Sequence, residues 1–101
     1  MNKTIILIPS YEPDNKLVNL VKEIRKKTDS LDIIIVDDGS GTKYKNIFNQ
    51  CDKYAKVLSY DMNQGKGFAL KYGLEYIKNN PTTNGKKTSE RSVSDIVYIG
   101  Y

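Results

Sequence analysis

The sequence contains no histidine and no tryptophan, and Cys51 is the single cysteine among 101 residues. Without histidine, the chain lacks the commonest general base and the commonest zinc ligand. A lone cysteine forms no intrachain disulfide, and no basic and then apolar signal segment opens the chain, so a cytoplasmic location is expected. Any chemistry must use carboxylates, lysine, tyrosine, hydroxyl groups or backbone amides.

Long apolar runs are also missing. Runs such as residues 33–36 are far shorter than the roughly 20 residues of a membrane helix. The formal net charge of +4 and the pI near 9.1 make the chain mildly basic, which is compatible with a phosphorylated ligand, an anionic membrane face or nucleic acid. No nucleic-acid reader motif accompanies the charge, and lysines spread over helix surfaces also keep a protein in solution, so nucleic acid is not an expected partner.

Short apolar runs indicate four strands, at residues 4–8, 32–36, 56–60 and 95–99. The third run alternates polar and apolar residues, which favours a place near the sheet edge, whereas the continuously apolar first two suit strands buried on both faces.

Helical patterns lie between these strands. The first begins after a predicted N-cap at Asp14, the second contains residues 44–51, and the third runs from Gly67 to about residue 79. Residues 81–92 are polar and are expected to form an exposed loop. The order βαβαβαβ predicts an α/β fold, a Rossmann-like three-layer α/β/α arrangement around a parallel sheet with right-handed crossovers.

Polar loops follow the first three strands. They read Pro-Ser-Tyr-Glu at 9–12, Asp-Asp-Gly-Ser at 37–40 and Asn-Gln-Gly-Lys-Gly at 63–67. Because the carboxyl ends of parallel strands share one edge of a sheet, the three loops are expected to meet at the edge where open α/β sheets bind ligands.

The first two loops each allow two interpretations. Tyr11 suits stacking on a base and Glu12 suits accepting hydrogen bonds from a ribose, but Tyr11 would also pack on the first helix with Glu12 in solvent. Asp37 and Asp38 repel each other unless a donor offsets their charge, and a base N–H is such a donor. Alternatively, Asp38 or Ser40 caps the helix that follows.

The third loop places Gly65 and Lys66 at the start of a helix, an arrangement that favours phosphate binding. The alternative is a glycine-containing turn with an exposed lysine. The loop matches neither the P-loop pattern nor the dinucleotide fingerprint, because Leu70 stands where the third glycine of that fingerprint should be.

Three strings in register, at residues 6–12, 34–40 and 63–73, resemble the motifs of family 2 glycosyltransferases. The resemblance implies a partial GT-A fold and transfer of a sugar from a UDP- or GDP-type nucleoside-diphosphate sugar to an unknown acceptor. Cell-surface polysaccharide or glycolipid synthesis is the implied setting, with the intact protein associated with the cytoplasmic face of a membrane.

The same resemblance implies the residues at the nucleotide. Asp38 would contact the base, Asp37 would hold its loop, and Gly65 and Lys66 would lie near the phosphates. The family usually has asparagine and then glutamate where this chain has Glu12 and Pro13. The implied nucleotide-binding residues are Pro9, Tyr11, Glu12, Asp37, Asp38, Gly65 and Lys66.

The resemblance further implies a Mg²⁺ or Mn²⁺ ion, held by an Asp-x-Asp motif just after the fourth strand. This chain reads Ile-Gly-Tyr at 99–101, so the metal site, the acceptor site and the catalytic base are expected beyond Tyr101. We therefore expect residues 1–101 to be the donor-binding part of a truncated domain, inactive by itself and without a tight metal site. Its uncovered sheet edge would be available for an oligomer.

Two alternatives from other classes remain at this point. The first is a non-catalytic nucleotide-binding or interaction module of the same fold. The second is a receiver-like signalling domain, since Asp61 ends the third strand; the acidic pair, however, follows the second strand rather than the first.

Overall fold

The computed structural model describes residues 3–79 and 93–101. These residues form four strands and three α-helices, with a short 3-10 helix, Thr42–Tyr44, before the second α-helix. In chain order the elements are β1 (Lys3–Ser10), α1 (Asn15–Lys27), β2 (Asp32–Asp38), α2 (Lys45–Cys51), β3 (Lys56–Tyr60), α3 (Lys66–Asn79) and β4 (Val93–Tyr98).

The strands form one parallel sheet in the order β3-β2-β1-β4. The predicted α/β fold with a parallel sheet is thus confirmed, as is the edge position of β3. The loop predicted at 81–92 lies outside the described residues. None of the described helices is long and apolar enough to cross a membrane.

The core has two layers because β1 and β2 are apolar on both faces, as strands covered by helices on both sides must be. Alternate side chains point to opposite faces of a strand. One face packs against α1 and α2, and its buried strand residues are Ile6, Ile8, Ile33 and Ile35. The other face packs against α3, and its buried strand residues are Ile5, Leu7, Ile34 and Val36.

The helices are positioned by caps and close contacts that follow from the local sequence. Asp14 caps α1, as predicted, because its side chain accepts a hydrogen bond of 2.9 Å from the backbone N–H of Lys16. Gly73 lets α3 lie close to the sheet, since a Cβ at this position would be 2.5 Å from a methyl group of Leu7. The cap thus defines where α1 begins, and the small residue at 73 sets how closely α3 packs on the sheet.

The central strands extend further than predicted. The predicted ends were residues 8 and 36, whereas β1 continues to Ser10 and β2 to Asp38. Parallel pairing continues there, with Pro9 opposite Val36 and Ser10 opposite Asp37. Pro9 has no N–H to donate, but its carbonyl accepts a hydrogen bond from the N–H of Tyr101 at 2.9 Å. Several predicted site residues therefore lie on the sheet rather than in loops.

Candidate functional site at the carboxyl edge of the sheet

A cleft of about 570 Å³ opens where β1 and β2 end. It lies between the end of β1, the start of α3 and the segment that follows β4. Its volume falls within the range of small-molecule sites, which is roughly 300–1,000 Å³. The described residues that line it are Pro9, Ser10, Tyr11, Asp38, Asn63, Gly65, Lys66, Gly100 and Tyr101.

Most of the predicted nucleotide residues meet in this cleft, although they come from three separate loops. Pro9, Tyr11, Asp38, Gly65 and Lys66 line it, whereas Glu12 and Asp37 do not. The loops thus converge at the edge where the sequence pattern placed them.

Asp37 lies on the opposite face of the sheet because neighbouring strand residues point in opposite directions. It lines a smaller cavity beside α2 together with Lys45 and Asn49. Its Oδ1 accepts a hydrogen bond of 2.9 Å from the backbone N–H of Ser40. This bond holds the turn that follows β2.

Glu12 joins the first loop to the second through its backbone. Its N–H donates to Oγ of Ser40 over 2.9 Å, and Ser40 is buried at 8% exposure. Glu12 adopts a φ of +50°, a left-handed conformation that is uncommon for residues other than glycine. The chain therefore turns sharply here, just after Tyr11.

Asp38 holds the second and third loops together. The side chain is 3% exposed. Its Oδ1 accepts hydrogen bonds from the Tyr60 hydroxyl at 2.7 Å and the N–H of Gln64 at 2.8 Å. Its Oδ2 accepts bonds of 3.0 Å from Nδ2 of Asn63 and the N–H of Gly65. These donors offset the cost of burying the carboxylate, because charge-assisted hydrogen bonds are strong.

Gly39 brings the backbones of these two loops into direct contact. Its φ is +66°, and a Cβ at this position would lie 2.1 Å from the backbone nitrogen of Asn63. The close approach at Gly39 is therefore made by the chain's own third loop.

The helix-cap alternative for the second loop does not apply. The cap position of α2 is Tyr44, and that of the 3-10 helix before it is Gly41; neither provides a side-chain cap hydrogen bond. Asp38 and Ser40 instead link the three loops, as their contacts with Gly65 and Glu12 show.

Two of the predicted site residues, Tyr11 and Lys66, line the cleft with exposed side chains, as do Asn63 and Tyr101. Tyr11 is 45% exposed, so its ring is free to contact a ligand; the negative charge of Glu12 and partial desolvation raise the pKa of Tyr11. Lys66 is exposed, and its Nζ would lie 3.4 Å from a Cβ built on Gly100. The cleft thus offers both an aromatic ring and a cation.

Sequence reasoning missed four residues of the cleft: Ser10, Asn63, Gly100 and Tyr101. The segment after β4 reaches the cleft because it continues alongside β1, with the N–H of Ile99 donating to the Leu7 carbonyl at 3.1 Å and that of Tyr101 to Pro9. Gly100 and Tyr101 could not be predicted as cleft residues because the sequence does not give the order of the strands. Once β4 lies beside β1, the segment after it ends next to the cleft.

The described residues do not fit the divalent cation that the motifs imply. In the described part of the chain, no three aspartate, glutamate, histidine or cysteine residues lie close enough together to hold a metal ion. Both oxygens of Asp38, the acidic side chain in the cleft, are already engaged by Tyr60 and the third loop. No step of a reaction is therefore assigned to a metal at these residues.

A parallel α/β sheet with a cleft at its carboxyl edge is the arrangement of the doubly wound α/β class, in which ligands bind at that edge. The model of the family "Glycosyl transferase family 2" matches residues 5–80. The chain therefore belongs to glycosyl transferase family 2, and the expected resemblance and partial GT-A fold are confirmed. Membership assigns it to the glycosyltransferases as a general kind of protein.

Similar curated proteins include one from an archaeon and one from a bacterium. An uncharacterized protein of Methanocaldococcus jannaschii is 28% identical over 76 residues, which are 71% of this chain and 32% of that protein. The teichoic acid poly(glycerol phosphate) polymerase of Staphylococcus epidermidis is 26% identical over 83 residues, which are 77% of this chain and 12% of that protein. The chain thus spans a third or less of the length of these relatives.

Proposed function

We propose that residues 1–101 form the donor-nucleotide site of a cytoplasmic glycosyltransferase that uses a UDP- or GDP-type sugar. The observation that carries the proposal is the convergence of Tyr11, Asp38 and Lys66 on one cleft. Family membership supports the general kind of donor.

In the proposed complex, the exposed ring of Tyr11 stacks on the base, an interaction that is open to any base because each has a π face. Asp38 faces the base from the floor of the cleft while it also orders the third loop. Glu12 and Asp37, which do not line the cleft, support it through Ser40.

The diphosphate lies at the other end of the cleft in this proposal. The start of α3 directs backbone N–H groups and the positive end of the helix dipole towards it. Lys66 adds a positive charge at the rim. Gly65 adopts a φ of +97° and has no atoms within 4 Å of a Cβ built on it, so a phosphate can approach the backbone closely.

The acceptor belongs to the same proposal. The similar region of a teichoic acid polymerase supports a polymer or glycolipid acceptor rather than a small soluble one. We propose that, in the intact protein, an acidic motif outside residues 1–101 binds Mg²⁺ or Mn²⁺.

Titration with UDP and GDP, followed by two-dimensional NMR of the labelled protein, tests the nucleotide site. We expect the backbone signals of Tyr11, Gly65 and Lys66 to shift together, along one saturation curve. No shifts at millimolar nucleotide, or shifts confined to α1 and α2, would contradict the proposal.

A pair of lysine variants sharpens the test. Lys66→Ala removes the cation at the cleft and should weaken binding of UDP about tenfold, the value of one charge-assisted hydrogen bond. Lys71→Ala removes an exposed lysine from the same helix, outside the cleft, and should leave the dissociation constant unchanged. Equal losses in both variants would indicate that overall charge, not the cleft, drives binding.

A further inference from the structure

We propose that Tyr60 is a positioning residue of the cleft, whose hydroxyl group holds the Asp38 carboxylate and thereby orders the third loop beneath the nucleotide. The proposal rests on the proposed nucleotide site. Tyr60 does not line the cleft, so it would act through Asp38 and not by touching the ligand.

The first step of the argument is the contact itself. The hydroxyl of Tyr60 donates to Oδ1 of Asp38 over 2.7 Å. The same oxygen accepts the N–H of Gln64, and the other oxygen accepts the N–H of Gly65. Tyr60 therefore fixes the rotation of a carboxylate on which two backbone groups of the third loop depend.

The second step is that the ring of Tyr60 is held independently of its hydroxyl. It contacts Phe68 edge-on, with ring centroids 5.3 Å apart, and Tyr72 with centroids 5.0 Å apart. Both partners lie on α3. The ring of Tyr60, at the end of β3, thus packs against two aromatic rings of α3, and these contacts direct its hydroxyl towards Asp38.

The third step concerns protonation. Burial, the hydrogen bond to Asp38 and the negative charge of Asp38 raise the pKa of Tyr60 strongly. The phenol therefore stays protonated, and remains a donor, at neutral and moderately alkaline pH. The positioning contact should not switch off near neutral pH.

The fourth step is the consequence of losing the hydroxyl. Asp38 is almost fully buried, so water is poorly placed to replace a missing donor. One lone pair of Oδ1 would then be unsatisfied, and the carboxylate would reorient at the expense of its bonds to the third loop. The aromatic contacts with α3 would remain.

Tyr60→Phe tests this inference, with Tyr72→Phe as the matched control. Tyr72 belongs to the same aromatic cluster, but within the described residues its hydroxyl makes no hydrogen bond. In Tyr60→Phe we expect about tenfold weaker UDP binding and faster hydrogen exchange at the amides of Gln64 and Gly65. Tyr72→Phe should change neither quantity.

Thermal unfolding separates positioning from general stability. At a temperature where both variants are fully folded, loss of binding in Tyr60→Phe alone supports positioning. Wild-type affinity in Tyr60→Phe, or equal losses in the two variants, would overturn it. Should Tyr60→Phe fail to fold, the wild-type protein still decides the question, since its Tyr60 hydroxyl proton must exchange slowly enough to be observed by NMR.

The exchange measurement also distinguishes the two proposals. If the wild-type protein binds no nucleotide, the proposed function fails. The exchange rates of Gln64 and Gly65 in the ligand-free variants then still show whether Tyr60 orders the third loop. Unchanged exchange in Tyr60→Phe, together with normal nucleotide binding by the wild type, would reject the positioning role alone.

Discussion

Two glycines in the turn after β2 show how differently neighbouring positions constrain the fold. Gly39 and Gly41 both have positive φ, at +66° and +92°. A Cβ on Gly39 would overlap the backbone of Asn63, whereas a Cβ on Gly41 would meet no atom within 4 Å. The first glycine is required by conformation and by space, and the second by conformation only.

This contrast predicts unequal costs of substitution by alanine. Gly41→Ala should lower the free energy of unfolding by about 1–3 kcal/mol, because its φ of 92° and ψ of 175° lie in a region that is essentially restricted to glycine. Gly39→Ala should lower it by about 3 kcal/mol or more, because the overlap with Asn63 adds to that cost. Urea unfolding measures both values. Equal losses in the two variants would show that the loops separate freely at Gly39.

Cys51 is fully buried on α2. Burial and the negative charge of Asp52 raise the pKa of its thiol to about 11. The thiolate is the nucleophile, so a thiol reagent at pH 8 should modify the unfolded chain quickly and the native protein very slowly. Rapid modification of the native protein would place Cys51 at an accessible position.

The same shift predicts a pH dependence. The native thiol has the higher pKa, so its contribution to stability is complete below the ordinary value of 9.0 and is lost as the pH rises towards about 11. In urea unfolding, Cys51→Ala should therefore lose less stability than the wild type across that window. The difference in free energy of unfolding between the two proteins separates the effect of the thiol from that of tyrosines that ionise at similar pH. If the free energy of unfolding fell by the same amount with pH in both proteins, the thiol would make no pH-dependent contribution.

At the scale of elements, Arg25 ties the C-terminal end of α1 to two turns. Its Nη1 donates to the Leu31 carbonyl at 2.7 Å, and its Nε and Nη2 donate to the Tyr54 carbonyl at 3.2 and 2.7 Å. Leu31 precedes β2, and Tyr54 precedes β3. One guanidinium group thus holds a helix to the entrances of two strands.

Lysine has a single side-chain nitrogen, so it does not reproduce the geometry in which several guanidinium nitrogens donate to two carbonyl groups. We expect Arg25→Lys to lower the free energy of unfolding by about 2 kcal/mol, since two half-buried carbonyls lose donors. Lys26→Ala alters the neighbouring exposed position and should change stability by less than about 0.5 kcal/mol. Thermal and urea unfolding check both. An equally large loss of stability in Lys26→Ala would indicate that the charge of the helix, rather than the hydrogen bonds of Arg25, stabilises the fold.

At the scale of the whole molecule, the cleft exists only because four segments meet: the end of β1, the end of β2, the loop and first residue at the start of α3, and the segment after β4. A nucleotide bound there would contact elements that are far apart in the chain. Binding should therefore stabilise the entire fold and not one loop.

The expected stabilisation follows from mass action. UDP at about 100 times its dissociation constant should raise the free energy of unfolding by about 2.7 kcal/mol. The gain should be smaller in Lys66→Ala and at high salt, because the cation in the cleft is exposed to solvent. Urea unfolding with and without UDP measures it. An unchanged unfolding curve at saturating UDP would contradict binding to the native state.

Much of this architecture is determined by the sequence alone. The apolar strands, the Asp14 cap and the order of elements predicted the parallel sheet, because buried strands and amphipathic helices follow local patterns of two and 3.6 residues. The same order placed the polar loops on one edge. Family motifs at residues 6–12, 34–40 and 63–73 then indicated the kind of protein, which the family match confirms.

Tertiary structure alone decided how each polar side chain is used. The direction of Asp37, the four donors around Asp38 and the arrival of Tyr101 beside Pro9 depend on strand register and strand order. The periodicity of apolar residues predicts neither strand register nor strand order, because it depends on neighbours along the chain and not on partners across the sheet. The hydrogen bond from Tyr60 to Asp38 joins residues 22 positions apart, a distance over which only the folded sheet brings donor and acceptor together.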